Sequence, residues 1–148
     1  MDFQGSVELK VSRTNVWATI RNPATIASAL PDFKDLAIQS PTTFTGNAKV
    51  GVSFIRGTFR FRFEVSEERP PEFLELKARG NGIGSSVDIT TRVTLSETPS
   101  GATRMVWEAK AQVGGSLAGI AQRMLQQAAE RTVEEIFANL TRLLESSG

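Results

Sequence analysis

The chain has 148 residues, 40% hydrophobic and 22% charged, which fits one globular domain with its own core and excludes a disordered chain. Its 17 basic and 16 acidic side chains leave a net charge of +1, so no polyanion track and no nucleic-acid partner is expected. Without Cys, His or Tyr it lacks the usual ligands of zinc, haem and iron–sulfur centres and any Ser-His or Cys-His nucleophile.

Phe3, Gly5, Val7, Leu9 and Val11 alternate with polar residues, the period of a half-buried strand. Ser12 can cap a short helix reaching Ile20, with Val16, Trp17 and Ile20 turned inward. Asn22-Pro23 ends it, because a residue before proline is pushed out of the helical region. A second short helix is expected over 24–30, ahead of Pro31. Residues 37–45 are weakly patterned and divide into two short strand pieces at Pro41. Strands are expected over 46–54 and 57–65, with a turn near Arg56-Gly57. In the second of these, Phe59, Phe61, Phe63 and Val65 alternate with Arg60, Arg62 and Glu64. Pro70-Pro71 turns the chain into a strand over 73–79. The glycines of 80–84 lack the strand-loop-helix setting and the lysine of a phosphate loop, so a bulge or kink in a strand is expected there.

Val87, Ile89, Val93 and Leu95 mark the next strand. Pro99-Ser100-Gly101 makes a hairpin into 103–113, where Met105, Trp107, Ala109 and Ala111 share a face. After Gly114-Gly115 the period becomes 3.6 and runs from about 116 to 145, one long helix. Ala118, Leu125, Ala129, Ile136, Leu140 and Leu143 form its core stripe. Leu117, Ile120, Ala121, Met124 and Ala128 form a second stripe in the N-terminal half only.

These patterns predict an α+β domain over 1–148, with about six to seven antiparallel strands curved around the long C-terminal helix and two short helices after the first strand. A concave sheet under a single helix leaves space for an apolar ligand. Its candidate wall is Phe59, Phe61, Phe63, Met105, Trp107, Leu117, Ile120, Ala121 and Met124, with Gly114 and Gly115 as a hinge or portal. No catalytic residue and no metal site is expected. Arg56, Arg60 and Arg62 fall on the face opposite the phenylalanines, as a solvated surface or a docking patch for an acidic partner. Asp32 and Asp35 are two loop carboxylates, read as solvated. No apolar run approaches the ~20 residues that span a bilayer, and the N-terminus lacks a signal-peptide layout, so a cytoplasmic protein is expected.

The order of elements is the helix-grip arrangement. Residues Ala111-Gln112-Val113-Gly114-Gly115-x-Leu117-Ala118, with Arg123, Ala128-Ala129 and Phe137, resemble one branch of the START-like (SRPBCC) superfamily, the carbon monoxide dehydrogenase CoxG family. Val16-Trp17, Asn22-Pro23, Leu30-Pro31, Gly57-Thr58-Phe59-Arg60, Pro70-Pro71 and the glycines at 80, 82 and 84 extend the likeness over nearly the whole chain. Phe61 stands where members often have glycine, which narrows a pocket. The resemblance implies a lipophilic ligand such as a quinone or lipid, no resident cofactor, and an accessory role beside a molybdenum hydroxylase complex. It also implies peripheral contact with the inner face of the cytoplasmic membrane. An aromatase/cyclase of the same superfamily, acting on a polyketide by shape, is the enzymatic alternative. A protein adaptor with a filled pocket is the third.

Overall fold

The computed structural model describes residues 1–52 and 55–147. In chain order they form β1 (Asp2–Leu9), α1 (Arg13–Ile20), α2 (Pro23–Ala29), β2 (Phe33–Ser40), β3 (Thr43–Val52) and β4 (Ile55–Arg69). Then come β5 (Phe73–Gly82), β6 (Ser85–Glu97), β7 (Thr103–Gly115), a 3-10 turn (Ser116–Gly119) and α3 (Gln122–Ser147). The strands make one antiparallel sheet in the order β1-β7-β6-β5-β4-β3-β2. Only β1 lies out of sequence, at one edge beside β7. The helices α1 and α2 carry the chain from that edge to the other.

Local chemistry sets the helix ends. The Ser12 hydroxyl accepts from the Asn15 amide at 3.3 Å to open α1, and the Asn22 side chain accepts from the Ala24 amide at 3.0 Å to open α2, with Pro23 at its first position. Arg21 closes α1, its amide donating to the Trp17 carbonyl at 2.9 Å, and Asn22 caps the next helix. Buried Val16, Ile20 and Ala29 join Leu9, Met105, Leu140 and Leu144 in one packed cluster. The Thr103 hydroxyl, fully buried, donates to the Val11 carbonyl at 2.7 Å and removes a polar cost from that core.

In β4, Ile55, Phe59 and Phe63 are buried while Arg56, Arg60 and Arg62 are exposed, as the alternation requires. The strand pairs with β3 from Thr43↔Glu64 to Val52↔Ile55, so Arg56 and Gly57 are ladder residues opposite Gly51 and Val50 and not the expected turn. The last two residues of the strand expected over 46–54 lie outside the described residues. The glycines of 80–84 are likewise a hairpin and not a bulge. β5 and β6 pair through Gly82↔Ser85, and Ile83 and Gly84 both take positive φ, 44° and 69°. Positive φ at both central residues is the I′ turn, whose twist matches its strands. An isoleucine is strained there, and its side chain is 44% exposed. Ile83→Asn is expected to leave the fold intact and raise stability by up to about 1 kcal/mol in urea denaturation.

The long helix also starts later than its periodicity suggests. Residues 116–119 form the 3-10 turn, Ile120 is extended, and α3 begins at Gln122. Its 26 residues span about 39 Å. Leu117 and Ile120 are buried as parts of this corner and not as a helical stripe. Ala118, Ala121 and Met124 are exposed, Met124 to 44%. Of the expected core stripe Leu125 and Leu140 are buried, Ala129, Ile136 and Leu143 are half-buried, and the helix ends on fully buried Leu144. The corner is fixed by hydrogen bonds to the Ile83-Gly84 turn: the Ser116 amide to the Gly84 carbonyl at 3.1 Å, and the Leu117 amide to the buried Ser85 hydroxyl at 3.0 Å.

Candidate functional site

The inner face of the sheet, towards α3, carries no ionisable side chain over β1, β4 from Ile55 to Val65, β5 from Leu74 to Gly82, β6 from Ser85 to Leu95, and β7. Alternation places every Arg, Lys, Asp and Glu of those stretches on the other face. The backbone of α3 comes nearest to α2, β1 and β3, so it is propped near the rims of the sheet. Fully packed clusters occupy the ends: Leu9, Met105, Leu140 and Leu144 at one, and Ile55, Phe59, Leu117, Ile120 and Leu125 at the other. A third, Phe44, Phe63 and Ala78, lies under α2. Between them the inward residues Phe61, Leu76, Val87, Ile89 and Trp107 are only half-buried. This strip of incompletely covered apolar surface on the central strands is the candidate site.

Two aromatic rings shape the strip. Phe61 lies in register with Gly46 on one side and Gly80 on the other. A Cβ at Gly80 would collide with its ring, so the glycine lets the ring lie down against the sheet. Phe61 stacks in a row with Phe59 at 6.2 Å and Phe63 at 6.0 Å. Trp107 likewise covers Gly5, its partner on β1. Its outer side stacks on Phe137 of α3 at 3.9 Å and 7°. That stack spans the gap between sheet and helix at one point.

The nine wall residues expected from sequence therefore separate into three groups. Phe59, Phe63, Met105, Leu117 and Ile120 are built into the packed clusters. Phe61 and Trp107 line the half-buried strip. Ala121 and Met124 lie exposed at the start of α3. Leu76, Val87 and Ile89 were not among the nine, although their alternation in β5 and β6 marks them as inward. Phe137 was missed as well, because only the stack with Trp107 distinguishes it from other core positions of the helix. Gly114 pairs with Ser86, and Gly115 has φ 70° and ψ −143° against the Gly84 carbonyl. Both glycines are thus fitted to neighbouring backbone or side-chain atoms.

The opposite face carries the charge. Asp35 accepts from the Asn47 amide at 3.0 Å, and among the described residues no group of three or more acidic side chains could hold a metal. A hollow of about 570 Å³ on this outer face is bordered by Gln4, Ser6, Phe73, Arg92, Val106 and Glu108. Beside it Glu75 is buried on the sheet surface, accepting from the Ser66 hydroxyl at 2.7 Å and from Arg92 Nε at 2.7 Å. These two hydrogen bonds, Ser66 first, hold its carboxyl below the usual glutamate range. A depressed folded value means the unfolded chain binds the proton first as pH falls. The stability Glu75 contributes is therefore present above its unfolded pKa of 4.5 and lost as pH drops through the lower folded value. Glu75→Gln is expected to flatten that acid limb in thermal melts as pH falls below 4.5.

The family model for the carbon monoxide dehydrogenase protein CoxG matches residues 5–145. Among solved structures, a conserved protein from Geobacillus kaustophilus superposes with a TM-score of 0.88 at 24% identity, covering 99% of this chain and 97% of its own. A START superfamily protein from Mycobacterium smegmatis gives a TM-score of 0.77 at 13% identity, covering 99% of each chain. The Zhui aromatase/cyclase from Streptomyces sp. R1128 gives 0.70 at 11%, covering 98% and 93%. At these identities the likenesses show the fold, the START-like helix-grip arrangement. No curated relative matches the chain in sequence.

Proposed function

Since the chain belongs to the carbon monoxide dehydrogenase CoxG family, we propose that it is a non-enzymatic accessory protein that binds a lipophilic molecule, a quinone or a lipid, between α3 and the central strands. One observation carries this reading: the apolar, charge-free residues of the inner face stay half-buried between fully packed ends. Apolar surface left uncovered inside a fold favours an apolar guest by about 25 cal/mol for each Å² withdrawn from water. In this reading Phe61, Trp107, Leu76, Val87 and Ile89 contact the guest, and the packed residues Phe59, Phe63, Met105, Leu117 and Ile120 stiffen the walls. Ala121 and Met124 border the entrance, beside the corner set by Gly114 and Gly115. A quinone bound there, a molybdenum hydroxylase complex as partner and a peripheral position at the cytoplasmic membrane are the finer parts of the same proposal.

Solvent extraction of the purified protein followed by mass spectrometry tests it. A co-extracted quinone or lipid is the expected result. Trp107 supplies a second readout, because a naphthoquinone held in the strip beside its edge quenches its emission. In a Trp17→Phe background, which leaves Trp107 as the only indole, added menaquinone is expected to quench saturably, and Phe61→Ala to change the affinity. No extracted molecule and no saturable quenching would refute the proposal.

A second reading, a protein adaptor with a filled interior, draws on the Trp107–Phe137 stack, which already fills the gap between sheet and helix at one point. The same two measurements separate it from the first. Turnover of a poly-β-ketone would instead place the chain beside the aromatase/cyclases.

A further inference from the structure

The charges on the outer face of the sheet are segregated. Reading across the paired strands, β3, β4 and β5 place Lys49, Arg56, Arg60, Arg62 and Arg79 on the half of this face nearest the β5–β6 turn. Three carboxylates border those rows: Asp88, which pairs with Arg79 at 3.2 Å, Asp35, which accepts from the Asn47 side-chain amide at 3.0 Å, and Glu64, the next outward residue after Arg62. The sequence has no Asp or Glu from 36 to 63. Farther along the same face, Arg92 sits between Glu75 and Glu108, and Arg69 pairs with Glu67. Among the described residues, the side chains of Lys49, Arg56, Arg60 and Arg62 have no ion-pair or hydrogen-bond partner. A chain of net charge +1 has thus gathered four cations with no ion-pair partner among the described residues on β3 and β4, beside the paired Arg79 of β5.

We propose that this outer face of β3–β5 is a docking surface for an acidic protein surface. The cations are mostly arginine, whose planar fork takes a carboxylate on two hydrogen bonds, and arginine is the cation enriched in protein interfaces. Arg60 and Arg62 lie two residues apart on one strand, about 6.8 Å, a spacing fixed by the pleat. Arg60 is flanked in register by Asn81 and by Asn47, whose side-chain amide donates to Asp35 at 3.0 Å. A nucleic acid would want rings for its bases, and Phe59, Phe61 and Phe63 all face the other way. A bilayer would want several apolar groups to insert, and beside these outward rows only Ile83 of the neighbouring turn, 44% exposed, is offered among the described residues. The proposal goes beyond ligand binding, and because it concerns the opposite face its failure would leave the cleft reading untouched.

The test uses the whole chain and an octaglutamate peptide, followed by amide NMR shifts. Shifts are expected at Lys49, Arg56–Arg62, Arg79 and their strand neighbours, and to weaken from about 50 to 300 mM salt. Arg60→Glu with Arg62→Glu is expected to weaken binding about tenfold at low salt. Arg60→Thr with Arg62→Thr, which keeps strand propensity, should give a smaller loss in the same direction. Arg104→Glu, on the far part of the same face, should have little effect. Shifts elsewhere, indifference to the Arg60 and Arg62 changes, or tighter binding at equal charge to duplex DNA or to vesicles containing phosphatidylglycerol would overturn the proposal.

Discussion

Gly115→Ala is expected to cost roughly 3 kcal/mol or more, and the variant should accumulate poorly or melt far below the parent. At φ 70° and ψ −143° this residue occupies backbone space that only glycine enters without strain. A Cβ there would also collide with the Gly84 carbonyl, the same oxygen that accepts from Ser116. Relief would require moving a backbone atom, and that movement would break the hydrogen bonds that join β7 to the β5–β6 turn. The loss should spread to Leu117 and Ile120, which the corner delivers into the cluster of Ile55, Phe59 and Leu125. Gly101 offers the control: its φ is +83°, but a Cβ there meets nothing within 4 Å, so Gly101→Ala should cost only the conformational part. Equal losses for the two variants, measured by chemical denaturation, would remove the close approach as the cause.

Phe59→Ala is expected to lose about 3–5 kcal/mol, a large part of the stability of a domain this size. Its side chain is fully buried, and it packs against Leu117, Ile120 and Leu125 on the opposite side of the interior. Removing the ring leaves a cavity where β4, the corner and α3 meet. Phe61→Ala, two residues on, should cost less, because that ring is only half-buried and lies over Gly80 of the neighbouring strand. The pair also divides structural from ligand effects. Stability should follow Phe59 and menaquinone affinity should follow Phe61. A variant series in which both quantities fell together at both positions would contradict the division of the wall described above.

Much of this architecture is legible in the sequence. The alternation of β4, the caps at Ser12 and Asn22 and the hairpin at Pro99-Ser100-Gly101 are local rules with local causes, and they hold in the structure. The errors share one cause as well. The expected turn at Arg56-Gly57, the expected bulge at 80–84 and the helix expected from 116 each read a glycine or a period without knowing what lay beside it. Gly57 is a ladder residue because β3 lies alongside it. The run Leu117, Ile120, Ala121 and Met124 imitates a helical stripe, but the turn at Ile83-Gly84 captures the Ser116 and Leu117 amides, and the chain bends before α3 begins. Local propensity cannot anticipate a hydrogen bond to a turn about thirty residues away.

Which residues face inward is written in the chain's own periodicity. A two-residue period and a 3.6-residue period each assign a side chain to one face, and in this chain they put every charge of the central strands outside. Composition alone also removes thiol, imidazole and phenol groups from any site here, since the chain has no Cys, His or Tyr. Which inward residues are used up in packing, and which are left half-covered, is set by contacts across the fold. That depends on where α3 rests, near α2, β1 and β3, and on the Trp107–Phe137 stack. Both are distances between segments far apart in the chain, and no periodicity encodes a distance.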